Sequence, residues 1–250
     1  MDGMLFSATD WIGIVLGFLL IGGVLAIASL LHRAGLDTFV TRKVVHIGVG
    51  HWWLVAWYFH DAVAPALVGP IVFTIANYVF YRRNRIEALG HAGAKGNFGI
   101  VLYPVSLIAL VLLSWMGPLS IHAAAAGVLI MAWGDGLAAI VGRALSGRTT
   151  ARLAAEPSGR SASPEGSHRS VVRPGSGGKT LAGSLAMFIS SVLVVLVVAG
   201  VAVSIPPLRL AAAAAVVAGA ATVAERFTPW SIDNLSVPLV AALSYARILG

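Results

Sequence analysis

Long apolar runs with very few charged residues dominate this chain and restrict what it can fold into. Eight runs are recognisable, at 11–31, 44–59, 62–81, 98–116, 121–141, 181–203, 210–224 and 235–249. Most approach the length of about 20 residues that crosses a bilayer as a helix. A backbone in lipid has to pair its own polar groups, which favours helices. We therefore expect an all-α, polytopic integral membrane protein.

The composition excludes several other classes of protein. Hydrophobic residues make up 58% of the chain and charged residues 11%, against about 25% charged in soluble domains. There is no cysteine, so neither a disulfide nor a thiolate metal site is possible. The net charge of +7 comes from basic residues between the apolar runs. Membrane orientation and anionic lipids account for such a pattern, and no nucleic-acid partner is expected.

The distribution of the 17 Lys and Arg residues predicts the orientation. All except Arg209 and Arg247 follow the first, third, fifth or seventh run. Basic loops stay on the cytoplasmic side, so we expect the N-terminus outside and these loops in the cytoplasm. The last two runs are short, and Pro238 interrupts the eighth. The prediction is seven to eight transmembrane helices in one membrane-embedded domain, residues 1–250, in the cell inner membrane.

Two stretches differ from the apolar helices. Residues 144–178 are rich in Ser, Gly, Arg and Pro, which predicts a long, mobile cytoplasmic loop. Trp52, Trp53, Trp57 and Tyr58 are predicted to form an aromatic belt at the membrane interface.

Six groups of polar residues all fall at predicted cytoplasmic ends of helices or in cytoplasmic loops. They are Arg42, Lys43 and His46; Lys95 and Asn97; Asp135; Lys179 and Thr180; Glu225; and Asp233 and Asn234. Ionisable residues in spans are costly and usually serve a function. Their convergence on one face predicts a single site that opens to the cytoplasm.

Asp135 lies between Gly134 and Gly136, late in an otherwise uncharged run. Flanking glycines allow backbone and ligand to approach closely. An ionised carboxylate at this depth needs a cation, which can be Mg²⁺, a lysine or an arginine such as Arg143. The alternative to a functional role is a structural ion pair with Arg143.

Lys179 and Thr180 follow a glycine-rich stretch and precede a helix. Backbone amides, a lysine and a helix N-terminus suit a phosphate group. The alternative is a linker that ends in a basic anchor, with Thr180 as the helix cap. For Arg42, Lys43 and His46 the alternative is likewise a basic membrane anchor and a core histidine.

Glu225 closes one span, and Asp233 begins the next after a short turn. The two carboxylates could bind a divalent metal or hold arginines. Cations, carboxylates and a glycine-rich lysine turn at one membrane face suit a phosphorylated soluble substrate that meets a lipid. The simplest hypothesis is direct in-line phosphoryl transfer.

Taken in order, several short motifs resemble the polyprenol kinase family, which includes dolichol kinases, phytol kinases and CTP-dependent diacylglycerol kinases. This family is distantly similar to phosphatidate cytidylyltransferases. The motifs are Arg42-Lys43-Val44-Val45-His46, Gly134-Asp135-Gly136 with Gly142-Arg143, Lys179-Thr180-Leu181-Ala182-Gly183-Ser184, and Glu225 followed by Asp233-Asn234. One position departs from the family pattern, because Ala182 stands where the family usually has glutamate.

The resemblance implies a lipid kinase that transfers the γ-phosphate of CTP, or another nucleoside triphosphate, to an isoprenoid alcohol or diacylglycerol, with Mg²⁺. The implied catalytic residues are Asp135, Lys179, Glu225 and Asp233, of which Asp135, Glu225 and Asp233 would bind the metal. The implied substrate- and nucleotide-binding residues are Arg42, Lys43, His46, Lys95, Asn97, Gly134, Gly136, Arg143, Thr180, Gly183 and Asn234. Two alternatives stay open: a CTP-dependent lipid cytidylyltransferase, and a non-catalytic lipid-binding or transport protein.

Overall fold

The computed structural model describes residues 6–59, 63–83, 98–155, 179–229 and 231–250, of which 147–155 are described by their backbone alone. Within these ranges the chain forms helices and no strand. The α-helices are α1 (Ala8–Arg33), α2 (Thr38–Gly50), α3 (Trp52–Val55), α4 (Val63–Arg83), α5 (Gly99–Trp115), α6 (Ile121–Leu129), α7 (Gly136–Ala155), α8 (Leu181–Ala202), α9 (Pro207–Phe227) and α10 (Asp233–Leu249). A 3₁₀ turn, Ala56–Tyr58, follows α3, and a π-helical turn, Ile130–Asp135, joins α6 to α7. The all-α prediction is confirmed.

Within the described residues, four helices begin at a side chain that caps the free backbone N–H groups of the first turn. The capping residues are Ser7, Asp37, Ser120 and Thr180. Such caps satisfy donors that have no partner inside the helix. The cap at Thr180, one of the two roles left open for this residue, is present.

The helices run between two ends of the bundle. At one end, Trp115 Nε1 donates to the carbonyl of Phe59 at 3.0 Å, and Trp53 Nε1 donates to that of Ile121 at 3.0 Å. The segment from α2 to the 3₁₀ turn, which breaks at His51, therefore reaches the end of the bundle where α5 ends and α6 begins. Trp52 and Trp53 are 2% and 0% exposed. The predicted interfacial belt is wrong for these two tryptophans, because they pack inside the protein.

Five helical segments are long and apolar enough to cross a membrane: Ala8–Arg33, Val63–Arg83, Ile121–Ser146, Leu181–Ala202 and Pro207–Phe227. A shorter apolar helix, Gly99–Trp115, has 17 residues. The predicted count of seven to eight spans is not confirmed, since α2 is short and broken and α10 has 17 residues. The described chain nevertheless has the long apolar helices of a membrane protein.

Small residues bring the central helices close together. Ala123, Ala124, Ala125 and Ala126 in α6 are fully buried. A Cβ atom at Gly127 would overlap the carbonyl oxygen of Pro238 in α10. Helices pack this closely in membranes through small residues. α10 continues through Pro238 without a break.

The predicted loop at 144–178 begins inside a helix. α7 continues to Ala155, so the first twelve residues of that stretch are helical. Residues 156–178 lie outside the described ranges.

Candidate active site

Asp135 is the last residue of the π-helical turn between α6 and α7. A Cβ atom at Gly134 would overlap Met187 Sδ in α8, and one at Gly136 would lie 2.6 Å from Ile47 Cγ1 in α2. The two glycines therefore let α8 and α2 approach the turn, rather than leaving room for a ligand. π-Helical turns are rare and occur frequently at functional sites.

Two side chains of α2 contact the Asp135 carboxylate. Lys43 Nζ donates to Asp135 Oδ2 at 2.7 Å, and His46 Nε2 lies 3.3 Å from the same oxygen. All three side chains are less than 20% exposed. The cation that balances Asp135 is thus Lys43, from a part of the chain 92 residues away.

Arg143, the other cation considered for Asp135, lies elsewhere. Its Nη2 donates to Asp37 Oδ2 at 2.6 Å, and its guanidinium lies 4.5 Å from the centre of the Phe39 ring. Both members of this ion pair are at least half exposed. The alternative of a structural ion pair between Arg143 and Asp135 is therefore wrong.

His46 is held by a residue that the sequence did not single out. The Tyr103 ring stacks on the imidazole with 4.6 Å between centroids, and the Tyr103 hydroxyl donates to the His46 carbonyl at 3.2 Å. His46 Nε2 also lies 3.1 Å from the carbonyl of Met131. With two acceptors around it, Nε2 is assigned the ring hydrogen. These contacts fix His46 beside Asp135.

Lys179 joins the ends of α8, α9 and α10. Its Nζ lies 3.1 Å from Glu225 Oε1 and 2.9 Å from Asp233 Oδ2, and it donates to the carbonyls of Glu225 and Thr228. Burial alone would lower the pKa of Lys179. The hydrogen bond to Asp233 and the charges of Asp233 and Glu225 outweigh burial, so the pKa of Lys179 is raised above its ordinary value.

The carboxylates of Asp135, Glu225 and Asp233 form one cluster. Each contributes an oxygen, and these oxygens lie within 4.8 Å of one another. Glu225 Oε2 is buried and has no hydrogen-bond partner among the described residues. Oxygen ligands at this spacing, one of them without a partner, fit a hard divalent cation such as Mg²⁺. Sequence reasoning named all three residues as metal ligands.

Thr180 and Gly183 form the junction between α7 and α8. The Gly183 N–H donates to Thr180 Oγ1 at 3.0 Å. A Cβ atom at Gly183 would lie 2.8 Å from the carbonyl oxygen of Ala138. Arg226 donates to the carbonyl of Lys179 at 2.7 Å. Sequence reasoning counted Arg226 only as a basic loop residue, yet it ties α9 to the start of α8.

The turn before α10 contacts the start of α5. Asn234 Nδ2 donates to the carbonyl of Ser231 at 3.2 Å. Ser231 has a positive φ of 63°, which is uncommon for a serine and typical of functional sites. A Cβ atom at Gly99 would overlap Asn234 Nδ2. The predicted site residues Lys95 and Asn97 lie just before Gly99, outside the described residues.

A cavity of about 460 Å³ opens beside these groups. Its polar end is formed by Arg42, Lys43, His46, Asp135, Ser231, Asp233 and Asn234. Its other walls are largely apolar and come from α1, α2, α4 and α5. The polar Asn77 in α4 also lines it and donates to the Ile100 carbonyl at 2.7 Å. The volume is typical of a small-molecule site, and the lining suits a ligand with an apolar body and a polar head.

The structure thus brings five of the six predicted groups to one end of the bundle. Tyr103, Ser231, Arg226 and the apolar walls were missed. A tyrosine in an apolar run and a serine in a short turn carry no signal in one sequence, because only their partners reveal their role.

The chain is similar to a known protein over most of its length. It is 34% identical over 236 residues to a protein from Synechocystis sp. named phytol kinase, which covers 93% of this chain and 90% of that relative. No protein-family model matches the chain, and no solved structure matches it significantly. The identity and coverage agree with the ordered motifs. This chain belongs to the polyprenol and phytol kinase family.

Proposed function

We propose that this protein is a membrane kinase that transfers the γ-phosphoryl group of a nucleoside triphosphate, CTP in particular, to the hydroxyl of an isoprenoid alcohol such as phytol. The observation that carries the proposal is the cluster of carboxylates and lysines at the polar end of an apolar cavity. The name of the relative supports an isoprenoid acceptor. CTP as donor comes from the family resemblance.

The cavity also favours an isoprenoid alcohol over diacylglycerol. An isoprenoid alcohol has one apolar chain and one hydroxyl, and the cavity has apolar walls and one polar end. With the chain among α1, α2, α4 and α5, the hydroxyl lies next to Asp135. Diacylglycerol would need room for a second chain.

Asp135 is the proposed acceptor for the proton of the hydroxyl. Both Lys43 and His46 contact its Oδ2, which leaves Oδ1 for the substrate. The alcohol oxygen forms a bond to the γ-phosphorus, the bond from that phosphorus to the β,γ-bridging oxygen breaks, and the proton passes to Asp135. The products are the lipid phosphate and the nucleoside diphosphate. Lys43 balances the charge of Asp135 before the proton arrives.

Lys179 is the proposed contact for the triphosphate. Its side chain is 30% exposed and its ammonium lies between Glu225 and Asp233, at the end of the bundle where the phosphate groups would bind. Glu225 and Asp233 would hold Mg²⁺ next to Asp135, and the ion when bound would neutralise phosphate charge. Arg42, which lines the polar end of the cavity, is a further proposed cation for the phosphate groups.

We expect this end of the bundle to face the cytoplasm, where nucleoside triphosphates are found. The basic loops support that orientation. Because the chain has no cysteine, single cysteines report topology directly. Ser161→Cys should react with an impermeant maleimide only after cells are permeabilised. Ser7→Cys should react with the same maleimide in intact cells. The opposite pattern would contradict the orientation.

The kinase is tested with purified protein in nanodiscs, γ-labelled CTP, UTP or ATP, Mg²⁺, and a panel of prenyl alcohols and diacylglycerol. We expect labelled prenyl phosphate and CDP. Asp135→Asn should lower kcat by at least about a hundredfold, as for loss of a general base. Asp37→Asn, at the exposed pair with Arg143, is the matched control and should keep normal activity.

Normal turnover in Asp135→Asn would contradict the role of Asp135. Release of pyrophosphate from CTP, with a lipid phosphate as the acceptor, would show a cytidylyltransferase instead. A folded protein that transfers phosphate to none of the alcohols would refute the proposed acceptor class.

A further inference from the structure

Two helices on one side of the cavity, α1 and α4, are in contact at the depth of Trp52. A Cβ atom at Gly17 in α1 would lie 2.9 Å from Trp52 Nε1, and one at Gly69 in α4 would lie 3.0 Å from it. Beside them, the rings of Phe18 in α1 and Phe73 in α4 lie 5.6 Å apart. The wall between α1 and α4 is therefore closed at this depth.

The same wall is exposed nearer the polar end of the cavity. Leu25 and Phe80 each lie seven residues after the aromatic pair, about 10 Å further along their helices at 1.5 Å per residue. Both side chains line the cavity, and they are 43% and 47% exposed. Ile21, one turn before Leu25, also lines the cavity but is 4% exposed. Of the described residues that line the cavity, Leu25 and Phe80 are the most exposed.

Two other junctions around the cavity are closed near this depth. Between α1 and α2, a Cβ atom at Gly48 would lie 2.7 Å from the methyl groups of Val24, so the two helices touch. Between α2 and α5, the Tyr103 ring stacks on the His46 imidazole with 4.6 Å between centroids. Neither junction leaves room for a chain to pass.

The junction between α4 and α5 is closed by a polar residue, Asn77. Pro104 in α5 has no N–H to donate to the carbonyl of Ile100, four residues earlier. Asn77 Nδ2 donates to this carbonyl at 2.7 Å. A carbonyl can only accept, so the bond fixes the orientation of the amide, and no group in the described ranges donates to Asn77 Oδ1. Asn77 lines the cavity one turn before Phe80, which places a hydrogen-bond acceptor beside the exposed part of the wall.

The exposed wall faces lipid, because α1 and α4 lie at the periphery of the bundle. In each of them 17% of the most apolar stretch is buried inside the protein, against 61% in Ile121–Ser146. An opening between two such helices leads into the hydrocarbon region, where an isoprenoid alcohol dissolves.

We propose that the space between Leu25 and Phe80, the lateral gap, is the route by which the isoprenoid alcohol passes from the bilayer to Asp135. The hydroxyl enters first, donates to Asn77 Oδ1 in the gap, and then reaches Asp135. The chain follows into the cavity, and any part that the cavity does not hold extends through the gap into lipid. The inference rests on the proposed function, which supplies the alcohol as the substrate.

The chain has no cysteine, so one introduced cysteine can block the gap reversibly. Leu25→Cys and Phe80→Cys are each modified with a bulky methanethiosulfonate in nanodiscs, and turnover of phytol with CTP is measured before and after. Modification should abolish turnover, and a reducing agent should restore it. Leu19→Cys and Ile75→Cys are the matched controls, because these residues lie on the same helices, are 65% and 59% exposed and do not line the cavity.

Modification of the two controls should leave turnover unchanged. Turnover that survives modification at both Leu25 and Phe80 would overturn the inference. So would an equal loss of turnover in the control variants, since the effect would then not depend on the gap.

Photolabelling separates failure of this inference from failure of the proposed function, because it needs no phosphate transfer. Phytol with a diazirine near its hydroxyl should label the cavity segment around Tyr103, and an excess of phytol should compete. Modification of Leu25→Cys should prevent this labelling. Labelling that is blocked in this way in a protein without kinase activity would refute the proposed reaction and support the gap. Labelling of the cavity that persists after modification, or labelling that never reaches the cavity, would overturn the gap.

Discussion

Removal of the Lys179 charge should destabilise the protein strongly. Lys179→Met keeps the unbranched side chain but leaves Glu225 and Asp233 without the ammonium that lies 3.1 and 2.9 Å from their oxygens. Glu225 is 6% exposed and Asp233 13% exposed. Water therefore cannot replace the lost cation, and the carboxylate cluster with Asp135 becomes a group of buried like charges.

The size of the effect follows from the distances. Two unit charges 4.8 Å apart repel by about 3.5 kcal/mol at an effective dielectric constant of about 20. Loss of one partner from a buried ion pair costs about 3–5 kcal/mol. The Lys179 side chain is 30% exposed, so we expect a smaller cost than for a fully buried pair, about 2–4 kcal/mol. In a chain of this size each kcal/mol lowers Tm by about 2–4 °C, which predicts a decrease of roughly 5–15 °C.

The assay is thermal unfolding of the purified protein in detergent without divalent cations, followed by tryptophan fluorescence. Arg143→Met is the matched control, since it removes a cation from an exposed pair, and such pairs contribute little. The double variant with Glu225→Gln should recover part of the Tm lost in Lys179→Met, because one repelling charge is gone. An unchanged Tm in Lys179→Met, or no recovery in the double variant, would refute the electrostatic argument.

Three further predictions concern the same end of the bundle. Mg²⁺ at one hundred times its Kd should stabilise the wild type by about 2.7 kcal/mol and so raise its Tm. Glu225→Gln should abolish this increase in Tm, and an increase retained in the variant would exclude Glu225 as a ligand. Gly134→Ala should lower the free energy of unfolding by about 1–3 kcal/mol, because its Cβ would meet Met187. Gly219→Ala, with no described atom within 4 Å of its Cβ, should not destabilise the protein. Equal Tm values for the two variants would show that the contact at Gly134 is not tight. Because the pKa of Lys179 is raised, its contribution to stability is present below the ordinary lysine value of 10.5 and is lost only as the pH rises through the higher folded value. The Tm difference between wild type and Lys179→Met should therefore stay constant from about pH 8 to about pH 10, and a difference that shrinks in this interval would contradict the raised pKa.

Much of the helical framework could be predicted because lipid leaves a backbone few alternatives. The run at 181–203 became α8, Leu181–Ala202, almost residue for residue. The run at 44–59 became a helix broken at His51, and Trp52 and Trp53, just after the break, are buried in the core instead of facing the interface. Hydropathy reports how apolar a side chain is, but not which neighbour covers it.

The site was partly predictable for a similar reason. Charges in apolar runs are rare enough that Asp135 and Glu225 stood out. The pairing of Lys43 with Asp135 could not be predicted, since it depends on how α2 packs on the π-helical turn. The sequence offered Arg143 as one of several possible partners of Asp135, yet that arginine extends to Asp37 at the edge of the bundle.

The cavity and the charged cluster are built largely from different parts of the chain. α1, α4 and α5 form the apolar walls, whereas the charged groups come mainly from the π-helical turn and from α8 to α10; α2 contributes to both. Natural variation can therefore alter one part while the other stays under selection. Among homologues that act on different alcohols, divergence should accumulate first in the walls of α1, α4 and α5, while the residues that handle phosphate remain constant.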